Sequence, residues 1–146
     1  MIIKPLTMEQ AIIISAYTGF MICPFSKLHE AIEKKLGRPV FTHQLGTKPV
    51  WDEIHKGFTD DFLDVVNTFT EDQKIIISAY TKIVVTDSNK VMKAINKKLG
   101  GTDPLHELGP SEYWGQAYTA FKDDFLSLAP IECEEMVKKA KDEVKP

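Results

Sequence analysis

Apolar residues fill most positions of a stretch near the N-terminus, and the residues in front of it mark the start of a helix. Thr7 stands three residues before Gln10, which is the pattern of a capping box: the threonine oxygen accepts from a backbone N–H of the first turn while the glutamine side chain reaches back. The run Ile12–Ile14 is β-branched and, on composition alone, also fits a buried strand. The cap and the length of the apolar stretch favour a helix that is buried on most faces.

A second stretch has the spacing of an amphipathic helix. Leu28, Ala31 and Ile32 follow the i, i+3, i+4 rule within about 26–36. Gly37 stands directly after this stretch, where a left-handed residue commonly ends a helix. We therefore predict a helix with one buried face that ends at this glycine.

A third helix is predicted after an extended or irregular segment, residues 40–46. It begins near Pro49 and carries Trp51 on its apolar stripe. Residues 60–63 either continue this helix or begin a short further one. The pattern thus predicts an all-α fold with about three principal helices in this part of the chain.

The same pattern then occurs a second time. Ile12–Thr18 recurs letter for letter as Ile75–Thr81, which fixes the offset between the two occurrences, and the same offset pairs His43 with His106. Roughly 24 of the 57 positions that this offset aligns without a gap are identical, which is far above chance. Such self-similarity indicates a tandem duplication.

The duplication predicts the domain organisation. The first copy spans 7–66, the second spans 70–129, and residues 130–146 form a single amphipathic helix outside the repeat. A copy of about 60 residues would be marginally stable alone, so we expect the two copies to pack as one globular unit. The expected architecture is all-α with pseudo-two-fold symmetry.

Composition and charge narrow the class of protein. The 146 residues carry a net charge of −3 without a broad basic surface, so nucleic acid is disfavoured as the principal ligand. Cys23 and Cys133 are not equivalent under the offset, which fits free thiols in a reducing compartment better than a disulfide framework. The sequence has neither a signal-peptide pattern nor an apolar run of membrane-spanning length. We expect a cytoplasmic protein without a membrane partner.

Five segments of the first copy carry a resemblance to a known family. They are Ile13–Gly19, Lys34–Val40, Thr42–His43, Val50–Trp51 and Asp61–Leu63. Together they resemble a small domain of unknown function that is common among bacteriophage-encoded proteins. The resemblance covers essentially all of the first copy and implies a phage or prophage origin, where small accessory proteins often block host functions by binding. It supplies no activity, cofactor or catalytic residue.

The second copy departs from the family pattern. Lys82 stands at the position of Gly19, and Leu105 stands at the position of Thr42. These departures raise the hypothesis that the second copy has kept only the scaffold.

Repeated polar and aromatic residues are the candidate ligand-binding residues. Histidine persists at positions 43 and 106 although the neighbouring residues differ; a loop histidine can bind an anion, accept a proton or ligate a metal, or its ring can bond a helix end. The hydroxyl-bearing residues near the end of the first helix either line a polar pocket or pair internally. The tryptophans either pack in the core or stack on a base. The full candidate set is Tyr17, Thr18, His43, Trp51, Tyr80, Thr81, His106 and Trp114.

Metal ligation and catalysis have weaker support. His29 and His55 align with Met92 and Tyr118, so no cluster of metal ligands repeats, and we expect neither a metal nor another cofactor. The pair Asp60–Asp61 fits a helix N-terminus at least as well as a pair of catalytic acids.

We therefore expect a non-enzymatic phage protein that antagonises a host defence process by sequestering a small anionic, nucleotide-like ligand. Direct binding of a host protein is the alternative, and a small hydrolase that uses His43 is the third and least supported. A concave pocket with aromatic walls and convergent donors would favour sequestration. An exposed apolar or acidic patch without a deep pocket would favour protein binding. Self-association of the chain stays open.

Overall fold

The computed structural model describes residues 3–100 and 110–133, and the predicted all-α fold is confirmed there. These residues contain eight α-helices and no strand. The helices are α1 Met8–Thr18, α2 Phe25–Leu36, α3 Lys48–Gly57, α4 Thr59–Val66, α5 Glu71–Thr81, α6 Ser88–Lys98, α7 Pro110–Ala120 and α8 Lys122–Leu126. The described residues also include the short 3₁₀ helices Thr42–Gly46 and Ile131–Cys133.

The chain divides into two compact units. The first unit contains Pro5–Thr68 and the segment that begins at Ala129, while the second contains Phe69–Leu128 and the N-terminal residues through Lys4. Helices α1–α4 thus belong to the first unit, and α5–α8 belong to the second.

In the first unit, α1 is the central helix and contacts α2, α3 and α4. Ile14 of α1 is fully buried, as are Ile32 of α2 and Ile54 of α3. Because α1 has neighbours on several sides, most of its nearly continuous apolar sequence is covered, while Ile12 and Ile13 are half-buried.

The second unit has the same internal arrangement. Helix α5 contacts α6, α7 and α8. Ile76 and Ile77 of α5, Ile95 of α6 and Phe125 of α8 are buried in its core. The central helix of each unit is therefore the one that follows the capping sequence.

Both predicted capping boxes form. Thr7 Oγ1 accepts from the backbone N–H of Gln10 at 3.2 Å, and Gln10 Oε1 accepts from the backbone N–H of Thr7 at 2.9 Å. Thr70 and Gln73 form the same two bonds at 3.1 and 2.8 Å. These bonds satisfy N–H groups that the first helical turn leaves without intrahelical partners, and they confirm the predicted starts of α1 and α5.

A buried serine ties each of these helices to the chain that follows it. Ser15 Oγ donates to the Ala11 carbonyl at 2.8 Å and accepts from the backbone N–H of Ile22 at 2.9 Å. Ser78 makes the same pair of bonds, at 2.7 Å to the carbonyl four residues earlier and at 3.0 Å from the N–H of Val85. These hydroxyls pair internally, which is one of the two arrangements expected from the sequence.

Two segments of the first unit add detail to the expected fold. Residues 40–46 were expected to be extended or irregular but contain a 3₁₀ helix, because both the side chain and the backbone N–H of Gln44 bond the backbone of Phe41 at 2.9 Å. The third helix ends at Gly57, and Phe58, with φ −99° and ψ 2°, separates it from α4. Of the two options for residues 60–63, a short further helix is therefore the one observed.

The C-terminal helix predicted over residues 130–146 falls largely outside the described residues. Its described part, Ile131–Cys133, is a 3₁₀ helix. Residues 134–146, and the segment 103–109 that the offset pairs with the first 3₁₀ helix, lie outside the described residues.

Helix α5 ends with a lysine in the left-handed region, where α1 ends with a glycine. Gly19 has φ 79° and Lys82 has φ 68°. Because a Cβ in this region costs roughly 1–2 kcal/mol and glycine loses more chain entropy on folding, Lys82→Gly is expected to raise the free energy of unfolding by about 1 kcal/mol. Urea unfolding followed by circular dichroism measures the change. Gly19→Ala is the reverse control and is expected to lower the stability; an unchanged or reduced stability of Lys82→Gly would contradict the expectation.

Candidate functional site

Tyr17, near the end of α1, lies in a stack of three aromatic rings. Its ring centroid is 4.0 Å from that of Phe62 and 4.1 Å from that of His55, with interplanar angles of 6° and 27°. Two rings this close to a third cannot share one of its faces, so both faces of Tyr17 are covered. This arrangement leaves no face of Tyr17 on which a ligand base could stack.

The stack recurs at Tyr80 in the second unit. The ring centroid of Tyr80 is 4.2 Å from that of Phe125 and 4.5 Å from that of Tyr118. Burial, together with a hydrogen bond to Tyr118, raises the pKa of the Tyr80 phenol above its ordinary value. Tyr80 is therefore a neutral core residue near pH 7.

The raised pKa of Tyr80 makes the stability of the chain depend on alkaline pH. The unfolded chain releases the phenol proton near pH 10 while the folded chain retains it, so stability is lost as the pH rises above about 10. The contribution of this one proton is a fall of about 1.4 kcal/mol per pH unit. Tyr80→Phe is expected to remove that part of the fall when the free energy of unfolding is measured from about pH 8 to about pH 11. Parallel pH profiles for the variant and the wild type would contradict this assignment.

Thr18 and Thr81 use their hydroxyls at the ends of their own helices. Thr18 Oγ1 donates to the Ile14 carbonyl at 2.6 Å and accepts from the backbone N–H of Phe20 at 3.2 Å. Thr81 Oγ1 forms the corresponding bonds at 2.6 and 3.2 Å. Each hydroxyl thus gives its single proton to its own helix, which leaves no proton to donate to a ligand.

His43 is exposed on the first 3₁₀ helix, where its ring is stacked with that of Phe41 at a centroid distance of 6.0 Å. Two other histidines bond backbone carbonyls of neighbouring segments. His55 Nδ1 lies 2.9 Å from the Tyr17 carbonyl at the end of α1, and His29 Nε2 lies 2.5 Å from a carbonyl just before the 3₁₀ helix. Because a carbonyl only accepts, both rings donate. A ligand role for His43 stays a prediction.

The two tryptophans are half-buried. Trp51 Nε1–H donates to the Leu45 carbonyl and thereby holds the 3₁₀ helix to α3. Trp114 on α7 meets Tyr113 edge-on, with ring centroids 5.6 Å apart. The remaining candidate, His106, lies outside the described residues.

An open cleft of about 770 Å³ lies on the first unit. Residues of α1 and α2 form its two walls, α4 contributes Asp61, and Phe58 comes from the junction between α3 and α4. Its floor is apolar and mainly aliphatic, formed by Met8, Ile12, Ile13, Ala31 and Phe58. None of the ligand-binding candidates predicted from the sequence lines this cleft.

Three lysines and three carboxylates border the cleft. Lys35 forms an ion pair with Asp61, and its Nζ lies 5.2 Å from the ring centroid of Phe58. Lys27 and Lys34 on α2 form no ion pair with any residue that the structure describes. The other two carboxylates belong to Glu9 on α1 and Glu30 on α2. The cleft thus combines an apolar floor with charged groups that are available to a partner.

In residues 3–100 and 110–133, the potential metal ligands do not cluster and the two cysteine thiols are buried. No three or more His, Cys, Asp or Glu side chains there are arranged to hold a metal ion. Burial raises the pKa of both the Cys23 and the Cys133 thiol, which keeps these groups protonated and weakly nucleophilic. In the same ranges, no helix has the length and apolar character needed to cross a membrane.

The fold defines an all-α protein whose described helices form two small units. Residues 8–68, which include all of α1–α4, match the family model described as "Domain of unknown function (DUF7736)". The resemblance noted in the sequence is therefore confirmed for this segment, at the level of a domain of unknown function. No curated protein and no solved structure gives a significant match to the chain. Every residue that lines the cleft lies within the matched segment.

Proposed function

We propose that the chain is a non-enzymatic accessory protein of a bacteriophage that antagonises a host process by binding a host protein at the cleft between α1 and α2. The observation that carries this proposal is the character of the cleft. An open aliphatic floor bordered by charged side chains is the kind of surface that receives a segment of another protein. The protein would act in the cytoplasm of the bacterial host.

The tyrosines predicted to bind a ligand are already stacked on other rings of the protein, which also favours a protein partner over a sequestered nucleotide. Both faces of Tyr17 are covered by other rings, and Tyr80 is stacked and buried. A nucleotide site would need aromatic faces or convergent donors at the ligand. The cleft has an aliphatic floor instead, with Phe58, itself buried, as its one aromatic lining residue among those the structure describes.

We further propose that the two units arose by tandem duplication. Equivalent contacts within the two units support a duplication, in addition to the sequence identity between them. The ion pair Lys35–Asp61 has its counterpart in Lys98–Asp124, with both partners displaced by the offset of the repeat. Both lysines also lie over an aromatic ring, Phe58 or Phe121, at 5.2 and 5.5 Å.

Affinity capture from a bacterial host lysate tests the binding proposal. Ala31→Gln places a long neutral amide over the floor of the cleft, and glutamine is a good helix former, so the fold is expected to be retained. Ala94→Gln is the matched control, at the equivalent position of the second unit. A host protein retained by the wild type and by Ala94→Gln, but lost from Ala31→Gln, supports the proposal. Identical capture by all three proteins contradicts it.

Sequestration of a small nucleotide-like ligand is the second candidate, favoured by the volume of the cleft and by Lys27 and Lys34. A cleft of about 770 Å³ has the size of many small-molecule sites. Native mass spectrometry with a nucleotide panel separates the two candidates. A discrete retained nucleotide, lost in Ala31→Gln, would replace the protein-binding proposal.

A further inference from the structure

Resting on the proposed function, we infer that the cleft binds one amphipathic helix of the partner. The partner helix carries two carboxylates beside its apolar stripe, two helical turns apart. These carboxylates face Lys27 and Lys34.

The geometry of α2 sets the spacing of the two carboxylates. Lys27 and Lys34 both line the cleft and are seven residues apart, which places them on one face of the helix and about 10 Å apart along its axis. A helical partner that runs along α2 repeats its own face at the same interval. Lys35 does not take part, because Asp61 already pairs with it.

The other charged groups of the cleft determine the orientation of the bound helix, that is, which of its two sides lies against α2. On α2, Glu30 stands between Lys27 and Lys34. This wall therefore carries one carboxylate and three ammonium groups, of which that of Lys35 is paired with Asp61. The α1 wall carries Glu9. Opposite walls therefore differ in the sign of their charge, and the acidic flank of a bound helix faces α2.

The floor of the cleft fits the apolar stripe of a helix. Met8 and Ile12 on α1 are four residues apart and lie on one face of that helix. Ala31 on α2 leaves room beside them because its side chain is a single methyl group. An amphipathic helix can set the side chains of its apolar stripe against such a surface.

The second unit differs at the position equivalent to Met8, which is Glu71. Its Oε1 accepts from Thr86 Oγ1 at 2.6 Å and lies 3.7 Å from Nζ of Lys90, the equivalent of Lys27. One of the two equivalent lysines is therefore already paired, and a carboxylate stands where the first unit has an apolar side chain. Helix binding is therefore assigned to the first unit alone.

Fluorescence anisotropy with designed peptides tests the inference on the full chain. The probe is a labelled peptide of roughly 18 residues, about 27 Å long when helical, with a leucine stripe bordered by two glutamates seven positions apart. The comparison peptide has the same composition, but its two glutamates lie opposite the stripe. The wild type is expected to bind the first peptide at least about tenfold more tightly than the second.

Three variants identify the site. Met8→Glu gives the first unit the residue of the second, at a helix start where glutamate is well tolerated, and is expected to lose peptide binding without a lower Tm. Lys27→Gln/Lys34→Gln is expected to abolish the preference between the two peptides. Lys90→Gln/Lys97→Gln is the matched control at the equivalent positions of the second unit and is expected to bind like the wild type.

The outcomes separate this inference from the proposed function. If neither peptide binds, or if both bind equally to the wild type, the helix inference is wrong, whereas capture of a host protein that depends on Ala31 would still support the proposed function. Peptide binding that survives Met8→Glu also overturns the inference. If capture does not depend on Ala31, the proposed function fails and the inference fails with it.

Discussion

Ser15→Ala and Ser78→Ala are each expected to lower the free energy of unfolding by about 1–3 kcal/mol. Both hydroxyls are almost fully buried, at 1% and 0% exposure. Each accepts a hydrogen bond from a backbone N–H seven residues later, that of Ile22 or Val85. Alanine leaves that N–H without its partner in a buried or half-buried place, and an unmade bond of this kind costs more than an average hydrogen bond contributes. Urea unfolding at neutral pH measures the loss.

An exposed serine provides the control for this prediction. Ser26→Ala on α2 removes the same oxygen from the surface and is expected to change the stability by less than about 0.5 kcal/mol. Equal effects of Ser15→Ala and Ser26→Ala would show that the bond from the Ile22 N–H does not hold the turn after α1. A loss of stability for Ser15→Ala without a comparable loss for Ser78→Ala would instead show that the two units differ in how these turns are stabilised.

Ala31→Gln is expected to weaken the binding of the captured host protein by about tenfold or more. The glutamine side chain occupies volume over the cleft floor, so a partner must either displace it or leave its own apolar groups in water. Because the change affects contacts made after encounter, the loss is expected in the dissociation rate. Biolayer interferometry with the purified partner measures both rate constants.

The control for this prediction is Ala94→Gln, for which the affinity is expected to be unchanged. Circular dichroism and thermal unfolding of Ala31→Gln verify that the first unit remains folded. A folded Ala31→Gln protein with the affinity of the wild type would place the binding surface elsewhere on the chain.

Local features of the fold could be predicted from the sequence because they depend on short spacings. The starts of α1 and α5 follow from a threonine and a glutamine three residues apart, and the αL ending of α2 follows from Gly37. The repeat supported each assignment, because a pattern that occurs twice is less often accidental. The separate helix α4 was harder to predict, because its boundary depends on the backbone of Phe58 alone.

The surroundings of the candidate residues could not be predicted, because they depend on contacts between distant helices. The bond from His55 to the Tyr17 carbonyl crosses 38 residues of sequence. A signal for the aromatic stack was nevertheless present: the offset pairs His55 with Tyr118, both ring-bearing, and Phe62 with Phe125. Ring-bearing residues kept in both copies of a repeat are therefore as consistent with packing as with ligand binding.

The cleft itself has a weak signal in the sequence. Lys34 and Lys35 form a basic pair that recurs in the second unit, and both line the cleft. Only the packing of α4 decides that Lys35 meets Asp61, while Lys34 forms no ion pair with a described residue. Likewise, Ala31 belongs to the apolar stripe read from the sequence, but it lines an open surface instead of the closed core. Periodicity identifies an apolar face; it does not distinguish a core from a docking surface.

Photo-crosslinking from the rim of the cleft tests the central claim most directly. A photoreactive benzoylphenylalanine replaces Glu30, an exposed residue that lines the cleft, and in a second protein it replaces Lys93, the equivalent residue of the second unit. After irradiation in host lysate, a specific host protein is expected to be crosslinked from position 30 and absent from position 93. The same products from both positions, or products from position 93 alone, would contradict the assignment of the binding site to the first unit.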